Sequence, residues 1–413
     1  MSSRAGTTNG LSHPLLGSVI LLLIAAILIF AYTIIVGILN GLDLVDFSRE
    51  LLLAHLHGGT LGWMTLGIMA ATFWLFAGEA SRPGARALQS GRGLAVLSVA
   101  AIALYVVAFA TTFGMARPLA GVLTLLGLIG VFAWTVSRVP SVTLTVPRLF
   151  VLVGLGTSII GGSFGVLNGL AIARGWGWVP ESFFDAHPGT MEVGFIIPVA
   201  MGLAEWGLRR GMPDERATRA GLAQVGFMFV AFLWVLFFIL AGVEEMVGAG
   251  VAFAIVGLII FYFRMWPIAR TTSLLERAPG RHAVAAGVFI GAAIVYLFVV
   301  LQMAGGDFDE IPRGQLLSFI HLMSVGGTTN ALFAFTLYLA RQLRPATVLD
   351  DVVFWGVCIG VTGFVVALSS GVDGLIHLFV PLMGVALLVA IVVHGLALAM
   401  QPINGKVAEP SSS

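Results

Sequence analysis

Cysteine is almost absent from this 413-residue chain; Cys358 is the only one. That single thiol excludes a disulfide framework, a Cys-x-x-Cys-His attachment site for c-type haem and a thiolate-held iron–sulfur cluster. Charge is scarce as well. Only 10% of residues are charged while 59% are hydrophobic, against roughly a quarter charged in ordinary soluble domains, which excludes a water-soluble fold. Lysine is reduced to Lys406 beside 20 arginines, the net charge is +1 and no basic tract occurs, so nucleic acid is not a partner. Arginine without lysine, together with abundant glycine and alanine, points to a GC-rich bacterial genome.

What the chain has instead is long apolar runs. About 20 such residues cross a bilayer core of roughly 30 Å as a helix. Twelve runs qualify: 17–40, 51–77, 92–113, 117–137, 147–172, 185–207, 219–243, 246–268, 282–304, 314–340, 350–371 and 374–400. The first is too long for a cleaved signal peptide and has no small-residue cleavage site, so it reads as a retained span. The expected fold is an all-α integral membrane protein with one transmembrane domain over residues 1–413 and short polar tails at 1–14 and 401–413.

Basic residues collect on the cytoplasmic side of membrane proteins, and here they sort onto one face. Arg4, Arg82, Arg86, Arg92, Arg138, Arg148, Arg209, Arg210, Arg216, Arg219, Arg264, Arg270, Arg277, Arg281, Arg341, Arg344 and Lys406 share it; Arg49, Arg117, Arg174 and Arg313 fall opposite. The asymmetry supports the count of twelve and predicts both termini inside. The outer face is acidic, with Asp43, Asp46, Glu50, Glu181, Asp185, Glu244, Glu245, Asp307, Asp309, Glu310 and Asp373. It is either solvated loop surface or a docking field for a basic electron carrier.

Five of the eight histidines fall at one level on this map. His55 and His57 begin the second span, His187 the sixth, His321 lies two turns into the tenth and His377 one turn into the twelfth. At 1.5 Å per residue the deepest lies about 12 Å from the outer edge. Ionisable residues inside a membrane are expensive and mark function. Imidazoles converging from separate helices in a dry bundle point to metal, and above all to haem. The spacing adds a second signal. His57 and His187 are 130 residues apart and His187 and His321 are 134 apart, and His57-Gly-Gly-Thr-Leu resembles His187-Pro-Gly-Thr-Met. Twelve spans thus divide into three groups of four, a pseudo-threefold (3 × 4 helix) bundle.

Twelve spans, inside termini and histidines in the second, sixth and tenth spans resemble the catalytic subunit of the haem–copper oxidase and nitric oxide reductase superfamily. The resemblance rests on Leu53-Ala54-His55-Leu56-His57-Gly58-Gly59-Thr60-Leu61-Gly62-Trp63, on His321, and on His187-Pro188 followed by Glu192-Val193 and Ile196-Ile197-Pro198. It implies a low-spin haem gripped by a second-span and a tenth-span histidine. The first of these is His55 or His57; two residues apart, they lie about 200° around the helix and cannot face one iron. It also implies copper on the sixth span at His187. The seventh span, Gly221–Trp234, has no histidine where the family places a pair, and the tenth has Phe319 and Met323 in place of a second one. The usual three-histidine copper centre therefore cannot form, and the oxygen-reducing haem is lost or rebuilt from His187, His377 and Glu192. The expected protein carries one bis-His b-type haem in a bacterial cytoplasmic membrane. It passes electrons from quinol or cytochrome c or handles a small gas (NO or O2), with additional membrane subunits as candidate partners.

Other residues carry narrower expectations. Glu192 is a proton-relay carboxylate or a paired one, and Glu205 is expected to snorkel. Gly161, Gly165 and Gly169 permit close helix packing, and Asn168, Thr328, Thr329 and Asn330 are expected to bond between helices. Arg341 and Arg344 sit at the end away from the histidines, too far to pair haem propionates. Two competing functions remain in the sequence. One is a twelve-span secondary transporter, against which no matching pair of Gly/Pro-broken helices stands in two inverted halves. The other is a haem or copper sensor or assembly factor without turnover.

Overall fold

The computed structural model describes residues 13–78, 81–111, 114–308, 310–342 and 344–400, without the side chain of Glu244. Arg4, Lys406, Asp309 and most of both polar tails lie outside the described residues. Twelve helices are long and apolar enough to cross a membrane. They are α1 (Leu16–Gly41), α2 (Arg49–Phe76), α3 (Ala85–Ala110), α4 (Ala116–Ser141), α5 (Val146–Arg174), α6 (Ser182–Leu208), α7 (Arg219–Ala241), α8 (Val247–Ala269), α9 (Pro279–Met303), α10 (Arg313–Ala340), α11 (Leu349–Ser370) and α12 (Asp373–Ala399). No strand occurs among the described residues, as expected where hydrocarbon must leave no backbone group unpaired. The chain is a multi-pass membrane protein.

The bounds follow hydropathy to within a few residues, except at α3. That helix begins at Ala85, about two turns before its apolar run. Ala85, Arg86, Ala87, Leu88 and Gln89 are strong helix formers, so the helix continues into polar surroundings where hydropathy gives no signal.

The helices are not equivalent. In α2, α6 and α10, 89%, 83% and 72% of the most apolar stretch is buried, against 33–61% in the other nine. These three form the centre, and they are also among the least apolar, since they face protein rather than lipid. Each widens into a π-helical segment, at Gly58–Thr65, Thr190–Ile196 and Leu322–Thr329. The starts of these segments are 132 residues apart in both intervals. Such segments are rare and cluster at functional sites.

Local chemistry explains the widening. Thr65 Oγ1 donates to Thr60 O, and Thr329 Oγ1 to Ser324 O, both at 2.9 Å and both five residues back. In α6, Pro198 has no N–H to give, and Thr157 Oγ1 from α5 donates instead to Gly194 O. The 132-residue interval recurs in Gly62, Gly194 and Gly326, each pressed by a side chain from a flanking helix: Ile29, Phe232 and Phe289. It recurs again in Trp74, Trp206 and Tyr338, which converge, with Tyr338 5.7 Å from Trp74 and 5.5 Å from Trp206 between ring centres.

That convergence lies at the end where the arginines gather. There Arg148 Nε donates to Leu75 O and Arg138 Nε to Phe76 O, capping carbonyls that the end of α2 leaves unpaired. Glu205 does not snorkel. It is 1% exposed and bound to Arg264 of α8 through both oxygens, because α6 lies at the centre and offers no route to lipid headgroups. Arg341 and Arg344 both pair with Asp350, and Arg277 and Arg281 with Asp351.

Candidate cofactor site

Four of the five predicted histidines sit just before or at the π segments of the central helices. His55 and His57 close the first α-helical part of α2, His187 lies in the first two turns of α6, and His321 ends the first part of α10. His377 stands apart. It is exposed near the start of α12, on a helix flank rather than in the centre. Among the described residues no three His, Cys, Asp or Glu side chains converge to hold a metal ion. His187, His377 and Glu192, the set from which a second centre was expected, do not form such a group, and His377 is exposed on α12.

The four central histidines share one hydrogen-bond pattern. Nδ1 lies 2.8 Å from a main-chain carbonyl in every case: Thr33 O for His55, Leu53 O for His57, Gly161 O for His187 and Leu317 O for His321. A carbonyl can only accept, so Nδ1 carries the proton and donates it. The free lone pair is thereby placed on Nε2, the arrangement by which proteins prepare imidazole for a metal.

The four fall into two kinds. His57 and His321 bond to the carbonyl four residues earlier in their own helix. His55 and His187 reach across to the preceding helix, and each ring rests on a glycine one turn beyond its acceptor. A Cβ on Gly37 would lie 3.0 Å from His55 Cε1, and one on Gly165 would lie 2.7 Å from His187 Cε1. The glycine stripe on α5 thus has a specific occupant: Gly161 supplies the acceptor and Gly165 the space, while Gly169 faces Pro118 of α4.

The two α2 histidines lie on different flanks of their helix. His321 is within electrostatic reach of His55, and His57 of His187. His55 lies toward α1, bonded to Thr33 O, and His57 lies toward α3, against Phe109. Aromatic rings complete both surroundings. Phe109 of α3 stacks on His57 at 3.9 Å with Tyr105 edge-on at 5.6 Å, and Phe364 of α11 meets His321 edge-on at 4.9 Å. Arg117 of α4 donates to Ala108 O and Phe109 O and lies over the Phe109 ring, which places a cation beside His57.

Residues with chemistry of their own lie around these sites. Glu192, inside the α6 π segment, has a buried Oε2 with no hydrogen-bond partner, and the Tyr32 hydroxyl and Thr190 Oγ1 are likewise unpartnered. Of the expected interhelical bonds, Asn168 reaches Phe183 O, Asn330 pairs with His282, and Thr329 Oγ1 accepts from Trp63 Nε1 at 2.9 Å. Thr328 instead turns back to Met323 O of its own helix, because the π segment leaves that carbonyl short of a donor. Outside the sequence expectations are two deeply buried imidazoles. His282 is bonded to Asn330, His394 has an unpartnered Nδ1, and both lie edge-on to Phe333. Near the arginines a cavity of about 180 Å³ is lined by Trp74, Trp206, Tyr338, Arg210, Glu205 and Arg264.

No protein-family model and no curated protein matches the chain. The functional reading therefore rests on the geometry of these residues.

Proposed function

We propose that the chain is a haem-carrying redox protein of a bacterial cytoplasmic membrane, built on the plan of a haem–copper oxidase catalytic subunit and holding a b-type haem between His55 and His321. Supporting the plan are the 132-residue interval of the three π segments, of Gly62, Gly194 and Gly326, and of Trp74, Trp206 and Tyr338. An interval that repeats in buried, functionally unrelated positions is the mark of a threefold internal repeat. With arginines concentrated at one end, both termini lie in the cytoplasm and the histidines lie toward the periplasm.

The observation that carries the reading is that His55 and His321 come from different central helices, each with Nδ1 bound to a carbonyl and Nε2 left free. The fit is tested by the donor set. Two neutral imidazoles in a dry apolar bundle suit an iron porphyrin, while three or four convergent ligands are absent among the described residues. When bound, haem supplies one-electron exchange or small-gas binding, with electrons arriving from quinol or from a cytochrome c at the acidic face.

The chain's own residues do the rest. Thr33 O and Leu317 O hold the two rings in register, and Gly37 lets His55 lie flat against α1. Glu192, buried and unpartnered, is the group placed to take up or release a proton near the histidine level. Purified protein from haem-sufficient cells is expected to show a Soret band and a b-type pyridine haemochrome, and His321→Ala is expected to lower the haem bound per chain. Protein without haem or iron refutes the reading.

A further inference from the structure

We infer that the α2–α6 interface holds a second haem between His57 and His187, related to the first by the internal repeat. This rests on the haem reading above and extends it from one site to two.

The register of the π segments shows how the ligands recur. His55 and His187 lie three residues before their segments; His57 and His321 lie one residue before theirs. Members of each class are also held alike. The first class donates across to a carbonyl of the preceding helix and rests on a glycine four residues further along it, Thr33 with Gly37 and Gly161 with Gly165, each set 128 residues from the other. The second class donates to its own helix, at Leu53 O and Leu317 O.

A rotation of the repeat therefore carries the first site onto the second. The first site joins a three-before residue of α2 to a one-before residue of α10. The second joins a three-before residue of α6, His187, to a one-before residue of α2, His57. The same operation applied once more lands on Phe319 of α10 and Gly189 of α6, an apolar ring and no side chain. Two interfaces carry ligand pairs and the third has none. Chance placement of four histidines does not predict identical second-sphere bonding within each class.

The two sites also differ in ways that give them separate signatures. His57 is stacked by Phe109 at 3.9 Å with Arg117 beside it, whereas His321 meets only the edge of Phe364. A nearby cation favours the reduced, less positive iron and supplies a partner for a haem carboxylate. The α2–α6 haem therefore has the higher potential of the two.

The experiment is haem counting on the intact chain, by pyridine haemochrome per polypeptide with metal analysis and near-infrared magnetic circular dichroism for bis-imidazole ligation. Wild-type protein is expected to hold two haems per chain and to titrate in two one-electron waves. His57→Ala and His187→Ala should each lose one haem and the higher wave, while His55→Ala and His321→Ala lose the lower. The retained haem reports that the variant is folded. If His187→Ala loses both haems, added imidazole decides: refilling of the second site and return of its wave supports the assignment, and no return overturns it. One haem per chain, unchanged by His57→Ala and His187→Ala, overturns the second site and leaves the first standing. Copper in place of the second haem also overturns it. Neither haem in the wild type refutes both.

Discussion

The ion pair between Glu205 and Arg264 gives a test of the bundle that does not depend on any cofactor. Glu205 comes from the central helix α6 and Arg264 from α8, with side chains 1% and 12% exposed. Both carboxylate oxygens accept from the guanidinium, at 2.5 and 2.7 Å, and Gln224 of α7 binds the same guanidinium. Three helices therefore meet on one buried charge pair. Removing one partner of such a pair strands the other charge and costs about 3–5 kcal/mol. The neighbouring cavity touches both residues, so water reaches the stranded group and places Glu205→Ala and Arg264→Leu near the low end, about 3 kcal/mol each. The double variant Glu205→Leu with Arg264→Leu removes both charges and leaves apolar volume, and it is expected to recover most of the loss. Reversible unfolding in mixed detergent and SDS micelles, followed by tryptophan fluorescence, measures all three. Single variants within about 1 kcal/mol of wild type, or a double variant that loses the sum of the two, would refute the argument that the pair is buried and mutually compensating.

Three further outcomes follow from the same kind of reasoning. His13 stacks on Trp74 at 4.4 Å with Nε2 3.2 Å from Trp74 O, and burial lowers its pKa from 6.5 to about 4. The folded state holds this imidazole neutral, so stability is fully present above pH 6.5 and is lost as pH falls toward 4. The loss is about 2 kcal/mol after allowing for its partial exposure, and His13→Phe, which keeps the stacking, removes that slope from a melting-versus-pH series. Trp63→Phe deletes the hydrogen bond from α2 to Thr329 of α10; because Thr329 still donates to Ser324 O, the cost is only about 1 kcal/mol by the same unfolding assay. Asn330→Leu leaves the 1%-exposed His282 without its partner and costs about 2 kcal/mol, with His282→Phe in the same background expected to recover part of it.

Hydropathy and arginine placement made the twelve helices legible, because a membrane span must be long, apolar and internally hydrogen-bonded, and each requirement leaves a mark in composition. The level of the histidines was legible for the same reason: helix rise converts position into depth. What composition does not carry is direction around the axis. Glu205 reads as an end-of-helix carboxylate free to snorkel, and only its place on a central helix shows that α8 must supply Arg264. His377 shares the depth of the other histidines yet faces outward, because depth says nothing of azimuth. The start of α3 was missed since Arg86 and Gln89 are helix formers that hydropathy discards. The glycines on α5 were read as packing; their spacing of four carries a second message, visible only once the ring of His187 is found against Gly165.

The 132-residue interval was nearly legible in the sequence. Matching histidine to histidine gives intervals of 130 and 134, whereas the π segments give 132 twice. The difference of two residues is the difference between His55 and His57. Residues two apart on a helix point about 200° from one another, which is why one iron cannot take both. On a central helix the same angle lets opposite flanks meet different neighbours. His55 lies alongside α1, where Thr33 holds it; His57 lies alongside α3, where Phe109 stacks on it. In the two-haem proposal, aligning His57 with His187 pairs a residue with its own partner rather than with its counterpart. On that proposal the two-residue shift separates ligands that share a site from positions that correspond across the 132-residue interval. It follows that moving the α2 histidines together by one residue, in either direction, should empty both flanks at once.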